Sequence, residues 1–88
     1  MLVRIPSPLR SYTGQKSQVE VAHGGGTVRD VLASLEQAHP GIRFRMIDEQ
    51  DRIRQHIKIF VNTNQVKDLG ASVQPTDILH IIAALSGG

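Results

Sequence analysis

The sequence predicts an α+β fold in which one mixed sheet of four to five strands packs on one main helix. Three observations carry that expectation. A stretch with helical spacing, an amino-terminal cap and a clear stop lies between β-rich runs on either side. The last β-rich run, Ile78-Leu79-His80-Ile81-Ile82-Ala83, is apolar on nearly every residue, the pattern of a central strand. Hydrophobic residues make up 40% of the 88 and charged residues 20%, which suits a packed core and not a disordered chain.

Leu2-Val3-Arg4-Ile5 is a short β-type run stopped by Pro6 and Pro8, and Val19-Glu20-Val21 is a second alternating run. Together they predict an antiparallel hairpin with Val3, Ile5, Val19 and Val21 on the core face. Its connection, residues 7–17, is long and contains Thr13-Gly14-Gln15-Lys16, so it is expected to be a mobile loop rather than a tight turn. Thr27 then stands three residues before Asp30, the spacing of a capping box, and predicts a helix from about Val28. Val28, Val31, Leu32 and Leu35 recur at i, i+3, i+4 and i+7 and form one apolar stripe, and His39-Pro40-Gly41 ends it.

Residues 42–54 mix charges of both signs without a sustained period. They are expected to be irregular, with one helical turn around Phe44 to Ile47. Ile57-Lys58-Ile59-Phe60-Val61 is a strand, Asn62-Thr63-Asn64 a turn, and Gln65-Val66-Lys67 a brief return along the sheet edge. With two hairpin arms joined across a helix, the first and last strands fall side by side in the middle. That is the β-grasp arrangement of ubiquitin, formed by one domain over residues 1–88.

Composition removes several function classes. There is no cysteine, so disulfides, thiolate metal sites and a cysteine nucleophile are excluded together. The longest apolar run, residues 81–85, is far short of the ~20 residues that span a bilayer, and residues 1–10 lack a signal-peptide segment. No membrane association is expected, and the cytoplasm is the expected compartment. Ten Lys and Arg against eight Asp and Glu give a net charge of +2, spread along the chain with few aromatics, so no nucleic-acid partner is expected. An 88-residue core is too small to enclose a large ligand cavity, which places function on the surface or at the ends.

Several motifs carry no chemistry. His23-Gly24-Gly25-Gly26 resembles an esterase oxyanion loop, but no Gly-x-Ser-x-Gly elbow accompanies it. Gly14-Gln15-Lys16-Ser17 lacks the Gly-Lys pair and upstream glycine of a phosphate loop. His23, His39, His56 and His80 share no metal-ligand spacing, and no metal site is expected. Asp48, Glu49 and Asp51 stand in a charged run beside Arg52 and Arg54 and read as a solvated loop.

Two features remain. Gly87-Gly88 would occur by chance at a given chain end in roughly 0.5% of sequences at a glycine frequency of about 7%. Two residues without Cβ can thread a narrow channel and bring a carboxylate to ATP. The chemistry expected there is acyl activation: an adenylate whose good leaving group lets a sulfur donor form a thiocarboxylate on Gly88. The second feature is the uncovered sheet face. One helix covers one face, so if Leu79 and Ile81 face it, Phe60, His80 and Ile82 form an open apolar patch, a docking surface unless the middle segment folds over it.

With Gly-Gly closing this order of strands and helix, the chain resembles the MoaD/ThiS family of ubiquitin-like sulfur carriers over essentially its whole length. Ile5-Pro6, Leu9-Arg10, Thr13-Gly14, Pro40-Gly41, Phe60-Val61-Asn62 and Asp77 are similar to the branch that carries sulfur for cysteine biosynthesis. The resemblance implies a protein co-substrate and not an enzyme, with no bound cofactor. It implies an E1-like adenylyltransferase/sulfurtransferase partner that uses ATP, and a sulfur-acceptor enzyme, cysteine synthase-like or the molybdopterin synthase large subunit. Gly87 and Gly88 are the residues that transfer. The chain departs from the family pattern at Gln15, where a second glycine often stands, and at Ala83-Ala84-Leu85-Ser86, where a proline and an alanine are common. Cysteine, molybdopterin and thiamin carriers share the tail, so the pathway stays open. So does a second use, as a modifier joined through Gly88 to target lysines, and a third, a plain β-grasp binding module.

Overall fold

The computed structural model describes residues 1–22 and 26–84. Five strands, β1 (Leu2–Arg4), β2 (Gln18–Glu20), β3 (Ile57–Val61), β4 (Asn64–Val66) and β5 (Ile78–Ala83), form one sheet in the order β2-β1-β5-β3-β4. β1 and β5 run parallel at its centre, and every other pairing is antiparallel. The chain has the β-grasp fold. β4 starts and ends one residue earlier than expected, because Asn62 takes a positive φ of 56° and tightens the turn.

Helix α1 (Val28–Ala38) lies where its stripe predicts, with Val28, Val31, Leu32 and Leu35 fully buried. Burial of each such side chain stabilises the fold by about 1.5–3 kcal/mol relative to exposure. Its capping box is complete: the Asp30 amide donates to Thr27 Oγ1 at 3.3 Å, and the Thr27 amide donates to the Asp30 carboxylate at 3.2 Å. Two further first-turn amides, of Val28 and Arg29, donate to the carbonyls of Ala71 and Leu69 at 3.0 and 2.9 Å. The segment between β4 and β5 therefore crosses the head of the helix, and it adds Leu69 and Val73 to the core.

Two expectations are corrected. The hairpin connection is a 3-10 helix, Ser7–Thr13, and not a loop. Pro6 and Pro8 preset φ on either side of its start. Leu9 drops into the core, and the buried Thr13 hydroxyl donates to the Lys16 carbonyl at 2.8 Å, with the Arg10 carbonyl 3.2 Å away. Gly14 then closes the helix at a φ of 63°.

The second correction concerns residues 42–54. Helix α2 (Ile42–Met46) overlaps the predicted turn but begins two residues earlier and ends one earlier, and Ile42, Met46 and Ile47 are all fully buried. Glu36 organises its start, accepting from the amides of Gly41 at 2.8 Å and Arg43 at 2.9 Å. Asp48 organises the turn after the helix, accepting from the amides of Gln50 and Arg52 beside an Ile47–Ile53 bridge. Glu36 and Asp48 are turn builders, and Ile42, Met46 and Ile47 are core, while Phe44 stays exposed.

Candidate functional site

The sheet face away from α1 is open. Paired residues share a face, so the register aligns Gln18, Arg4, His80, Phe60 and Gln65 in one row across all five strands. The next row pairs Ile82 with Lys58, and the row on the other side pairs Ile78 with Leu2. Leu79 and Ile81 point the opposite way and are buried. The structure thus brings the predicted Phe60, His80 and Ile82 together. Ile82 is 48% exposed, and Phe60 and His80 are half-buried. The middle segment does not cover them: Ile42, Met46 and Ile47 pack into the core, and Phe44 lies at a groove with Pro8, Leu9 and Tyr12.

Sequence reasoning missed the cations and the lower apolar pair of this face. Arg4 stands beside His80 and Lys58 opposite Ile82, while Leu2 and Ile78 extend the apolar surface. Alternation could have found them: Arg4 lies between Val3 and Ile5, both assigned inward, and so must point outward.

β5 leads directly to the tail. The Ala84 amide donates to the His56 carbonyl at 2.8 Å, one step past the Ile57–Ala83 pair. Residues 85–88, with Gly87 and Gly88, lie outside the described residues, as do His23, Gly24 and Gly25. Two grooves flank this tail root. One, of about 650 Å³, runs between β5 and the 3-10 helix and is lined by Arg4, Pro6, Pro8, Arg10, Ile82 and Ala83 among others. The other, of about 400 Å³, lies beyond Pro8 and is lined by Leu9, Tyr12, Phe44, Arg45, Arg54 and His56. Among the described residues no carboxylate lines either groove.

The start of β5 is fixed as firmly as its end. Asn62 Nδ2 donates to the Asp77 carboxylate at 2.9 Å, and the Ile78 amide donates to Asn62 Oδ1 at 3.0 Å. The Asp77 carboxylate also accepts from the Gln74 amide at 2.8 Å. Among the described residues no cluster of three or more potential ligands could hold a metal ion, and no helix is long and apolar enough to cross a membrane.

Comparison with known proteins decides the family. The ThiS family model matches residues 3–88. The chain belongs to the ThiS family. A chain in the crystal structure of the Amycolatopsis orientalis BexX/CysO complex is 34% identical, with a TM-score of 0.88, over 99% of this chain and 98% of that one. The Mycobacterium tuberculosis CysO structure, described as an antigen, is 28% identical with a TM-score of 0.87, over 96% of this chain and 98% of that one. Small archaeal modifier protein 3 of Haloferax volcanii is 27% identical over 98% of this chain and 96% of its own. The ThiS family protein thus stands among ubiquitin-like sulfur carriers and small modifiers, which are protein carriers and not enzymes.

Proposed function

We propose that this chain is a sulfur carrier whose Gly88 carboxylate is adenylated by a homologue of the ubiquitin-activating enzymes and then converted to a thiocarboxylate. The observation that carries this reading is the family match, which runs through Gly88 and comes with 34% identity to a chain of a CysO complex. A carboxylate oxygen attacks the α-phosphorus of ATP and pyrophosphate leaves; hydrosulfide then attacks the carbonyl carbon, AMP leaves and the sulfur loses its proton, giving C(O)S⁻. The partner binds the ATP, and the cycle belongs in the cytosol. Gly87 provides clearance in the partner's channel, while Phe60, His80 and Ile82 form the face that docks the activating or acceptor enzyme. The CysO neighbours favour a cysteine synthase-like acceptor over a molybdopterin synthase large subunit.

A modifier role, with Gly88 joined to target lysines, is favoured by the likeness to an archaeal modifier protein and shares the adenylate. A ladder of high-mass species on immunoblots of cells, lost when Gly88 is deleted, supports that use; free protein alone supports the carrier.

The reading is tested by pyrophosphate exchange with the activating enzyme. A chain extended by one residue past Gly88, and a Gly87→Val chain, should lose exchange, since a displacement of about 1 Å at a reacting centre can cost on the order of a hundredfold. Exchange at the wild-type rate by an extended chain that has not been trimmed would remove Gly88 as the reactive residue.

A further inference from the structure

The two exposed large hydrophobic residues of the described chain are Ile82 and Phe44, and only Ile82 belongs to the open sheet face. Phe44 is 57% exposed on α2, at the rim of the 400 Å³ groove. That groove has an apolar floor of Pro8, Leu9 and Tyr12 and a cationic rim of Arg45 and Arg54. Both guanidinium groups are held in place by neutral acceptors. Arg45 Nε donates to the Tyr12 hydroxyl at 2.6 Å, and Arg54 Nε donates to the Phe44 carbonyl at 2.7 Å with its guanidinium 4.5 Å from the Phe44 ring centre.

Among the described residues the ion pairs of side-chain carboxylates fall elsewhere: Asp51 with Arg29 and Arg43, Asp48 with Arg52, and Glu20 with the Met1 ammonium. Asp48 lies within the field of Arg54 but is committed to the Arg52 and Gln50 amides and the Arg52 side chain. Among the described residues Arg45 and Arg54 therefore present two fixed charges without an ion-pair partner around an exposed aromatic ring. His56, also in the groove, is the residue whose carbonyl ties down Ala84 at the tail root.

The geometry points to this groove as a second docking site, distinct from the open sheet face, for an acidic peptide segment of a partner protein that carries an apolar side chain between its carboxylates. The apolar side chain packs on Phe44, Tyr12 and Pro8, and the carboxylates meet Arg45 and Arg54. Because the groove adjoins the tail root, a partner that takes the tail can engage it at the same time, and two linked contacts raise affinity by more than either alone. That placement rests on the carrier reading; the groove's preference for acidic peptide does not.

The test uses the isotope-labelled full chain and two capped peptides, Glu-Asp-Leu-Glu-Asp and its neutral counterpart Gln-Asn-Leu-Gln-Asn, followed by amide and side-chain chemical shifts. The acidic peptide should move resonances of Tyr12, Phe44, Arg45, Arg54 and His56, and the neutral peptide should not. Arg45→Glu with Arg54→Glu should weaken the acidic peptide by about tenfold or more, and Phe44→Ala should weaken it as well, with a folded spectrum in both variants. Shifts spread over all basic residues or centred on Phe60, His80 and Ile82 would overturn the proposal. So would equal response to the neutral peptide, or no response to either. No activation chemistry enters this titration, so its failure leaves the carrier reading standing, and loss of adenylation leaves the groove standing.

Discussion

The Ala84 amide bonds the His56 carbonyl at 2.8 Å, which extends the β3–β5 ladder one residue past Ala83. The tail therefore departs from a fixed point on a central strand, beside the open face and between two grooves. In native-state hydrogen exchange the Ala84 amide should be protected from solvent like the other bonded amides of this ladder. Exchange at the rate of an unbonded amide would mean that the ladder stops at Ala83 and leaves the tail root unfixed.

Phe60 sits opposite His80 on the uncovered face and is not part of the buried cluster. Truncation of an interface anchor typically costs about 2 kcal/mol, so Phe60→Ala should weaken binding of the activating or acceptor enzyme about thirtyfold. Circular dichroism and the melt should change little. Unfolding instead of weakened binding would show that Phe60 supports the core.

Met46 lies in the segment whose charges conceal its packing, and it is fully buried. Met46→Ala should cost about 2–5 kcal/mol in urea unfolding, since it removes buried volume from a rigid surround. A loss below about 0.5 kcal/mol, the size of a surface change, would contradict the placement of α2 against the core.

Glu36 gives a pH dependence. The Gly41 amide, then the Arg43 amide, hold its carboxyl below the usual value of 4.5, against a smaller opposing effect of burial. A carboxyl depressed on folding stabilises the protein above its unfolded pKa, and that contribution fades as pH falls through the lower folded value. Wild type should therefore lose stability below about pH 4.5, and Glu36→Gln should lower the Tm at pH 7 and flatten this acid limb. Parallel acid limbs for the two proteins would show that the Glu36 bonds do not contribute.

Where local signals agreed, the sequence was legible. Thr27, Asp30 and the Val28-Val31-Leu32-Leu35 stripe specify α1 because cap and period point the same way, and the β5 run, apolar at all but His80, marks a strand with neighbours on both sides. The Ser7–Thr13 helix was hidden because its glycine lies at the end and its single buried apolar anchor, Leu9, comes directly after Pro8. α2 was partly hidden, because Ile42 and Met46 stand four apart as helix neighbours but the intervening Arg43 and Arg45 dilute the period. Leu69 and Val73 have no periodicity at all; tertiary contact with the head of α1 buries them. Of the candidate site, Phe60, His80 and Ile82 followed from alternation along two strands. Groove residues such as Tyr12, Phe44 and Arg54 meet only across three separate segments, which no local pattern encodes.

The intact mass of the chain after incubation with its activating enzyme, ATP and a sulfide source reads the proposed chemistry directly. Replacement of one terminal oxygen by sulfur, absent when Gly88 is deleted, is the expected result. An unchanged mass, under conditions where a related carrier gains sulfur, would contradict the carrier function.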